Sequence, residues 1–350
     1  MFSSRCLSTA TLALSLLLPC SLLAAPLPGA MGSYAEQQTR HIATYFPGRM
    51  AGGPAELVAA DYLNQHFRQM GYQSDLRTFP ARYRYTSQRG KQSWQKADVT
   101  SVIAARSGRV PQEILIVAHL DTFTPQSDSD INHNLGGLTL QGVDDNASGL
   151  GVMMELAQRL SAQPTHYGLR FVALGGEEIG RQGSRHYLAR MSAAERKNTL
   201  LVINLDSLIT GDRLSFTNGR PAPSAMAAQS RDRALQLARR LGIPATTRPL
   251  LDPATPHGLG CSHTADAFDQ AGLPVLSVTA TNWALGDHDG CQTRPESSAF
   301  PQGSSRHQSQ RDNLAYLDRH LPGRIHHRSR DAVRILLPLL KALAQPAPER

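Results

Sequence analysis

Short apolar segments that alternate with helical patterns constrain the fold of this 350-residue chain more than any other feature. Apolar strands are predicted at residues 101–106, 113–118, 169–174, 200–205 and 275–280. Helices are predicted at 54–70, 147–160, 181–190, 230–241, 263–271 and 329–344. Strands that are apolar throughout, such as 114–118, belong in the middle of a sheet covered on both faces. We therefore expect an α/β fold: one domain with a mostly parallel mixed central sheet and helices on both faces.

Residues of the types that bind metal ions accompany these strands. Five of them follow one another along the chain: His119, Asp145, Glu178, Asp206 and His307. Four of the five stand at or just after the end of an apolar run, where open α/β sheets gather their active sites. Two histidines and three carboxylates are enough ligands for two zinc ions, and Glu177 is a spare carboxylate beside them. A paired metal site with a free carboxylate suits the hydrolysis of an amide.

Each motif taken alone has a simpler explanation. Asp144, Asp145 and Asn146 precede a predicted helix, where such residues commonly act as caps. An isolated acid after a strand, such as Asp206, is often a turn residue. Asp121 is two residues from His119 and points to the same side of an extended segment, so it can orient the imidazole. It is the order and spacing of the motifs together that favour a metal site.

The chain resembles the co-catalytic dinuclear zinc aminopeptidases over nearly its whole length after the N-terminal segment. The motifs are His-Leu-Asp at 119–121, Asp-Asp-Asn-Ala-Ser-Gly at 144–149, Glu-Glu-Ile-Gly at 177–180, Gly-Ser at 183–184, Leu-Asp at 205–206 and a late histidine. This resemblance implies the zinc exopeptidase fold, two Zn²⁺ per chain, and hydrolysis of the N-terminal residue of a peptide or protein.

The resemblance also implies a role for each site residue. His119 and Asp206 would bind one zinc ion, and Glu178 and His307 would bind the other. Asp145 would bridge the two ions. In the same family pattern, Glu177 is the general base and Asp121 supports the ligands.

Further segments at 40–50, 135–142, 200–206 and 321–325 resemble a bacterial periplasmic member of this family. That likeness implies removal of an N-terminal Arg from an exported protein such as alkaline phosphatase. A substrate Arg calls for a carboxylate partner, and Asp266, Asp287 and Asp289 are the candidates. The chain departs from many relatives at 261–263, where Cys-Ser-His replaces Ser-Asp-His, and no Tyr lies between positions 187 and 316 to assist an oxyanion.

Two related activities remain as alternatives. A zinc carboxypeptidase or deacylase usually inserts a lid domain after the ligand at the position of Asp206, whereas only ordinary core elements are predicted there. A glutaminyl-cyclase-like enzyme of the same fold uses one zinc ion, whereas both His119 and Asp206 are present here. A protein that only binds would be expected to lack some of the ligands.

The N-terminus is predicted to be a secretory signal peptide. An apolar stretch at 7–23 follows Arg5 and leads to Ala24 and Ala25, so we expect the signal to occupy about residues 1–25, with its end between 24 and 30. The aminopeptidase domain is then 31–345, periplasmic or secreted, without a membrane span after cleavage. In an oxidising compartment Cys261 and Cys291 form a disulfide or remain free thiols; the sequence leaves both open.

The formal net charge is +8. Much of this charge is arginine on predicted helices, where it alternates with apolar residues. Such a pattern is typical of solvated helix faces, and we therefore expect no nucleic-acid partner.

Overall fold

The computed structural model describes residues 29–219, 225–247, 263–281 and 305–346. The predicted signal segment up to residue 28 lies outside these ranges, as do Cys261, Cys291, Asp287 and Asp289. The helices are α1 (Ser33–Tyr45), α2 (Pro54–Gln69), α3 (Asp128–Asn132), α4 (Gly149–Leu160), α5 (Gln182–Arg190), α6 (Ala193–Asn198), α7 (Ala225–Arg240), α8 (His263–Gln270), α9 (Leu314–His320) and α10 (Arg324–Leu343). The strands are β1 (Gln73–Thr86), β2 (Gln92–Arg106), β3 (Glu113–His119), β4 (Gly168–Leu174), β5 (Thr199–Leu205), β6 (Arg213–Asn218), β7 (Ala245–Thr246) and β8 (Val275–Thr281).

Within these ranges the strands form one mixed sheet in the order β1-β2-β4-β3-β5-β8-β6-β7. The four central strands, β4, β3, β5 and β8, are parallel to one another. The pairs β1–β2, β2–β4 and β6–β8 are antiparallel. The predicted class, a single α/β domain with a mixed, mostly parallel centre, is confirmed.

Strand β3 shows why the apolar runs lie at the centre. Ile114 and Ile116 pack into a large core with α1, α2, α4 and α10 on one face of the sheet. Leu115 and Val117 point to the other face and join a second core with α5 and α8. Because successive side chains of a strand alternate between faces, only a strand covered on both sides is apolar at every position. The expected helices on both faces are present.

Several elements at the periphery were not predicted from the sequence. Only residues 101–106 of β2 were predicted, and α1, β1 and β6 were not predicted at all. In β1, buried Phe79 and Ala81 alternate with exposed Pro80 and Arg82, so only one face is covered. Such a strand lies at the edge of the sheet and carries many charges, which conceal its periodicity. The short helix α3, between β3 and the turn at Val143, was not predicted either.

The longest described helix, α10, is amphipathic and lies against α1, α4 and α7. Its buried residues include Ile325, Val333 and Leu340, while charged residues occupy its other face. Among the helices that the structure describes, none combines the length and the apolar character needed to cross a bilayer.

Candidate active site

His119 is the last residue of the central strand β3 and is almost fully buried. Its Nδ1 lies 2.9 Å from the backbone oxygen of Asp121. Because a carbonyl oxygen can only accept a hydrogen bond, Nδ1 carries the proton and Nε2 is left free to bind a cation. Nε2 lies 2.9 Å from Asp145 Oδ1 and 3.8 Å from Asp206 Oδ1.

Asp145 lies in the turn Val143–Ser148 that leads into α4. The backbone N–H groups of Asp144 and Asp145 donate to the carboxylate of Asp312, at 2.7 and 3.1 Å. These bonds direct the Asp145 carboxylate to lie between the two histidines. Oδ1 faces His119, and Oδ2 lies 3.4 Å from His307 Nε2.

The neighbours of Asp145 perform the structural tasks at the start of α4. Asn146 Oδ1 accepts hydrogen bonds from the backbone N–H groups of Gly149 and Ser207, at 3.2 and 3.1 Å. The Asp144 carboxylate accepts from the backbone N–H groups of Ile209 and Thr210, at 2.7 and 3.2 Å. The Asp145 carboxylate is therefore not needed as a cap.

Glu177 and Glu178 follow β4 after two glycines, and their side chains diverge. Glu178 Oε2 lies 3.1 Å from His307 Nε2. Glu177 turns away and accepts hydrogen bonds from Ser184 Oγ, at 3.0 Å, and Thr264 Oγ1, at 2.8 Å. Gly175 is required in this turn because a Cβ there would lie 2.3 Å from the backbone oxygen of Thr100.

The Asp121 carboxylate supports the turn that carries these two acids. Its Oδ1 accepts from the Glu177 N–H and its Oδ2 from the Glu178 N–H, at 3.1 and 3.0 Å. Asp121 therefore orients His119 through its backbone oxygen and positions Glu178 through its side chain. A supporting carboxylate beside the imidazole was expected from the sequence, and Asp121 Oδ1 lies 3.8 Å from His119 Nδ1.

Asp206 and His307 complete the cluster from two different directions. Asp206 directly follows β5, and its Oδ1 accepts a hydrogen bond from Ser207 Oγ at 3.0 Å. His307 comes from the segment before α9. Its ring stacks on Phe123, with 4.1 Å between ring centroids, and its backbone oxygen accepts from the Gly136 N–H at 2.8 Å.

The structure thus brings the five predicted ligands together in two groups that share Asp145. The buried group consists of His119, Asp145 and Asp206, and the outer group consists of Asp145, Glu178 and His307. In each group, one ligand atom from every residue lies within 4.8 Å of the others. Imidazole nitrogen and carboxylate oxygen are ligands that zinc accepts, so this donor set fits zinc.

Asp266, the candidate for a substrate Arg that lies in a described region, is on α8. Its Oδ2 lies 3.9 Å from Arg181 Nη1, and the side chain is partly exposed. Thr264, two residues earlier, contacts Glu177, so α8 borders the site. The structure does not bring Asp266 into either ligand group.

The pKa values of two ligand carboxylates and of Glu177 are shifted in opposite directions. Burial acts to raise the pKa of Asp145, but Arg306 and the two histidines hold it well below its usual value. Burial acts to raise the pKa of Glu178 as well, but His307 and Arg306 together lower it below its usual value. Burial raises the pKa of Glu177 despite its hydrogen bonds from Ser184 and Thr264. Carboxylates whose pKa values are shifted in opposite directions are suited to different tasks: Asp145 and Glu178 stay anionic, and Glu177 can hold a proton.

Sequence reasoning missed several residues that build the site. Arg306 Nε lies 3.3 Å from Asp145 Oδ2, so a guanidinium enters the pocket. Asp312 is fully buried against the Asp145 turn, and burial raises its pKa to about 8. Only proximity to His307 in the sequence could have drawn attention to these two residues.

Arg49 was missed as well. It is fully buried and donates to the backbone oxygens of Leu120, Gln141 and Gly142, at 3.1, 2.9 and 3.2 Å. It therefore joins the segment after β3 to the segment before Asp145. Arg49 lies in the 40–50 segment that was quoted for the family resemblance, but its spacing from the ligands gives no sign of this contact.

The model of peptidase family M28 matches residues 101–333, and this match includes all five ligands and Glu177. The chain belongs to peptidase family M28. The alkaline phosphatase isozyme conversion protein of Escherichia coli is 54% identical to it over 99% of both chains. The family and the closer likeness inferred from the sequence are thereby confirmed, and the predicted enzyme class, a hydrolase of peptide bonds, is confirmed with them.

Solved structures show how widely this fold is used. A zinc aminopeptidase from Bacillus subtilis is similar with a TM-score of 0.65 and 13% identity, covering 92% of this chain and 97% of that one. A glutaminyl cyclase from Porphyromonas gingivalis has a TM-score of 0.56 and 19% identity, covering 88% and 97%. At these identities the similarity shows the fold alone, and the choice between the two activities must come from the site.

Proposed function

We propose that this M28 peptidase is an aminopeptidase that uses two zinc ions and removes an N-terminal residue, Arg, from exported proteins or peptides. One observation carries this proposal: two ligand groups share the carboxylate of Asp145, and Glu177 lies beside them without joining either group. His119 and Asp206 would hold one ion, Glu178 and His307 the other, and Asp145 both.

When bound, two zinc ions supply a polarised substrate carbonyl and a water of lowered pKa. The chain's own residues provide the remaining functions. Glu177 takes the proton of the attacking water on its carboxylate and passes it to the leaving amine. Ser184 and Thr264 hold that carboxylate in place. Asp121, bonded to the Glu177 and Glu178 N–H groups, fixes the general base relative to the ligands.

The preference for Arg is the one implied by the resemblance of the segments at 40–50, 135–142, 200–206 and 321–325 to a periplasmic member of the family. The name of the 54% identical conversion protein of E. coli suggests alkaline phosphatase as a protein substrate, and we extend this to the present chain. Asp266 is the described candidate for the guanidinium partner, provided that Arg181 releases it. The predicted signal peptide supports a periplasmic or secreted location for this reaction.

A glutaminyl-cyclase-like activity is the second candidate because that fold is shared. A cyclase needs no second ligand group, whereas here both groups are assembled around Asp145. A carboxypeptidase or deacylase would usually carry a lid domain after the ligand at position 206, whereas the described residues between Asp206 and His307 form the core elements β6, α7, β7, α8 and β8.

Hydrolysis of aminoacyl fluorogenic substrates by the purified protein tests the proposal. Arg and Leu substrates, an N-blocked Arg control and an N-terminal Gln peptide should be compared, each with chelator and with added zinc. Chelator-sensitive cleavage of free Arg, sparing the blocked form, is the expected result. Faster cleavage of Leu would reject the Arg preference alone. Cyclisation of the Gln peptide without any cleavage would replace the aminopeptidase by the cyclase.

A further inference from the structure

Strands β1 and β2 extend beyond the sheet as a two-stranded hairpin. β2 pairs with β4 only over Val102–Arg106, whereas β1 pairs with β2 along its whole length. In this register Arg82 lies opposite Lys96, and Arg84 lies opposite Trp94. Because alternate residues of a strand share a face, these four side chains form one surface, called here the hairpin outer face.

The hairpin outer face is exposed and positively charged. Arg82 and Arg84 stack over the ring of Trp94, with Cζ at 4.9 and 5.4 Å from the ring centroid, and the indole is 57% exposed. Asp98 stands on the same face toward the sheet. Nevertheless, no carboxylate of the described chain lies within ion-pair distance of Arg82, Arg84 or Lys96. The positive charge of this region lies on strands β1 and β2, so solvated helix faces do not explain it.

Folding of the hairpin does not account for the charges on its outer face. Like charges directly opposite each other on paired strands are unfavourable, and Arg82 and Lys96 form such a pair. The stacking of Arg82 and Arg84 on Trp94 offsets part of this cost. The other face of the hairpin already supplies the packing, since Ala81 is buried with Phe79 and Val99 and Tyr83 packs against them. The composition of the outer face therefore indicates a surface for binding rather than for folding.

The hairpin is joined to the mouth of the active site by hydrogen bonds. The Thr86 N–H donates to the Gln126 backbone oxygen at 2.9 Å. The Gln126 side chain in turn donates to the backbone oxygen of Glu178 at 2.8 Å. On the outer side, Gln182 Nε2 donates to the Arg82 backbone oxygen at 3.4 Å. The basic surface thus begins close to the turn that carries Glu177 and Glu178.

We propose that the hairpin outer face binds an acidic segment of the polypeptide substrate, downstream of the residue that is removed. The inference rests on the proposed aminopeptidase function, in which one N-terminal residue enters the site and the rest of the chain must leave along the surface. Guanidinium groups bind carboxylates in a forked geometry, and Trp94 offers an apolar platform between them. A polypeptide is favoured over a lipid or nucleic acid because only a substrate chain is continuous with the adjoining site.

The test uses two peptides of about 20 residues with the same N-terminal residue. One carries a downstream cluster of Asp and Glu, and the other carries Asn and Gln at those positions. The hairpin variant is R82Q/R84Q/K96Q. Its control is R233Q/R239Q/R240Q, which removes the same charge from exposed positions on α7, a helix packed near the opposite edge of the sheet. Thermal unfolding confirms that both variants are folded.

The wild-type protein and the control should have a lower KM for the acidic peptide than for the neutral one, and added salt should reduce this preference. In the hairpin variant the KM for the acidic peptide should rise about tenfold, while kcat and the hydrolysis of a small aminoacyl substrate stay within about twofold. An unchanged KM, or an equal rise for both peptides, would overturn the inference. So would charge-dependent binding of phosphatidylglycerol vesicles or a single-stranded oligonucleotide that is tighter than binding of the acidic peptide.

A failure of the proposed function gives a different result. If the wild-type protein cleaves neither the peptides nor the small substrate, the aminopeptidase function is wrong. If it cleaves the small substrate but does not distinguish the peptides, only the role of the hairpin is wrong. The two proposals are therefore tested separately within one set of measurements.

Discussion

The buried group (His119, Asp145, Asp206) and the outer group (Asp145, Glu178, His307) share one carboxylate but are built differently. In the buried group, His119 and Asp206 stand at the ends of adjacent parallel strands, β3 and β5, whose positions are fixed by the sheet. In the outer group, His307 comes from an irregular segment held by Phe123 and Gly136, and its side chain is 23% exposed. For the proposed site with two zinc ions, this difference predicts that the ion of the outer group exchanges more easily than the ion of the buried group.

Removal of the shared residue should have the largest effect. The variant D145A takes a ligand from both groups, so we expect loss of both zinc ions and a fall in activity of about 10³-fold or more. Metal analysis of the dialysed protein and hydrolysis of an aminoacyl substrate measure these effects. D61A, at an exposed position on α2, is the control. Two tightly held ions in D145A would refute the bridging role.

Glu177 belongs to neither group, so its substitution should separate chemistry from metal binding. We expect E177Q to retain the metal content of the wild type while kcat falls about 10²- to 10⁴-fold, as is typical for loss of a general base. Metal analysis and steady-state kinetics on the same preparation provide the comparison. Activity close to that of the wild type would reject Glu177 as the base.

The difference between the groups can be measured by timed dialysis against a chelator. The wild-type protein should release zinc in two phases, with the ion of the outer group leaving first because His307 and Glu178 are partly exposed. H307A should lack the fast phase, and H119A should lack the slow one. Release in a single phase from the wild type would mean that the two groups hold their ions equally strongly. This would contradict the faster release expected from the outer group.

A smaller effect is expected from Glu56, which lies behind the turn carrying Glu177 and Glu178. Burial raises its pKa to about 9. A carboxyl group whose pKa is higher in the folded than in the unfolded protein stabilises the fold while it is protonated. This stabilisation decreases as the pH rises between the two pKa values. Between about pH 4.5 and 9 this contribution falls by at most about 1.4 kcal/mol per pH unit.

The variant E56Q should remove this dependence. Denaturant unfolding at several pH values should show E56Q gaining stability relative to the wild type as pH rises through this window, because Gln has no proton to lose. D61N, at an exposed position on α2, is the control. Parallel stability curves for E56Q and the wild type would contradict the assignment of a buried, protonated Glu56.

The sequence was most informative where one physical requirement dominates. The central strands are covered on both faces, so segments such as β3 are apolar throughout and their bounds were predicted within about a residue. His119, Glu178 and Asp206 stand at or just after the ends of these strands, which explains why they could be expected to lie close together. Strand β1 escaped prediction because its residues serve two environments: Phe79 is buried while Arg82 and Arg84 face solvent.

The supporting residues of the site could not be predicted for a different reason. Asp312 acts on the backbone of Asp144 and Asp145, far away in the sequence, and Arg49 acts on carbonyl groups. A contact with a backbone group does not restrict which side chain the contacted residue carries, so the sequence does not reveal it. Arg306 directly precedes His307 in the sequence, but its position beside Asp145 depends on the fold.

The buried guanidinium of Arg49 also affects how far this enzyme can be truncated and how much of it an active-site graft must include. The family model begins at residue 101, and a fragment starting there would retain His119, Asp145 and the other ligands. It would lack Arg49, whose side chain joins the carbonyl groups of Leu120, Gln141 and Gly142. The catalytic unit is therefore larger than its motifs, and a graft of this active site onto another scaffold would have to carry the N-terminal segment with it.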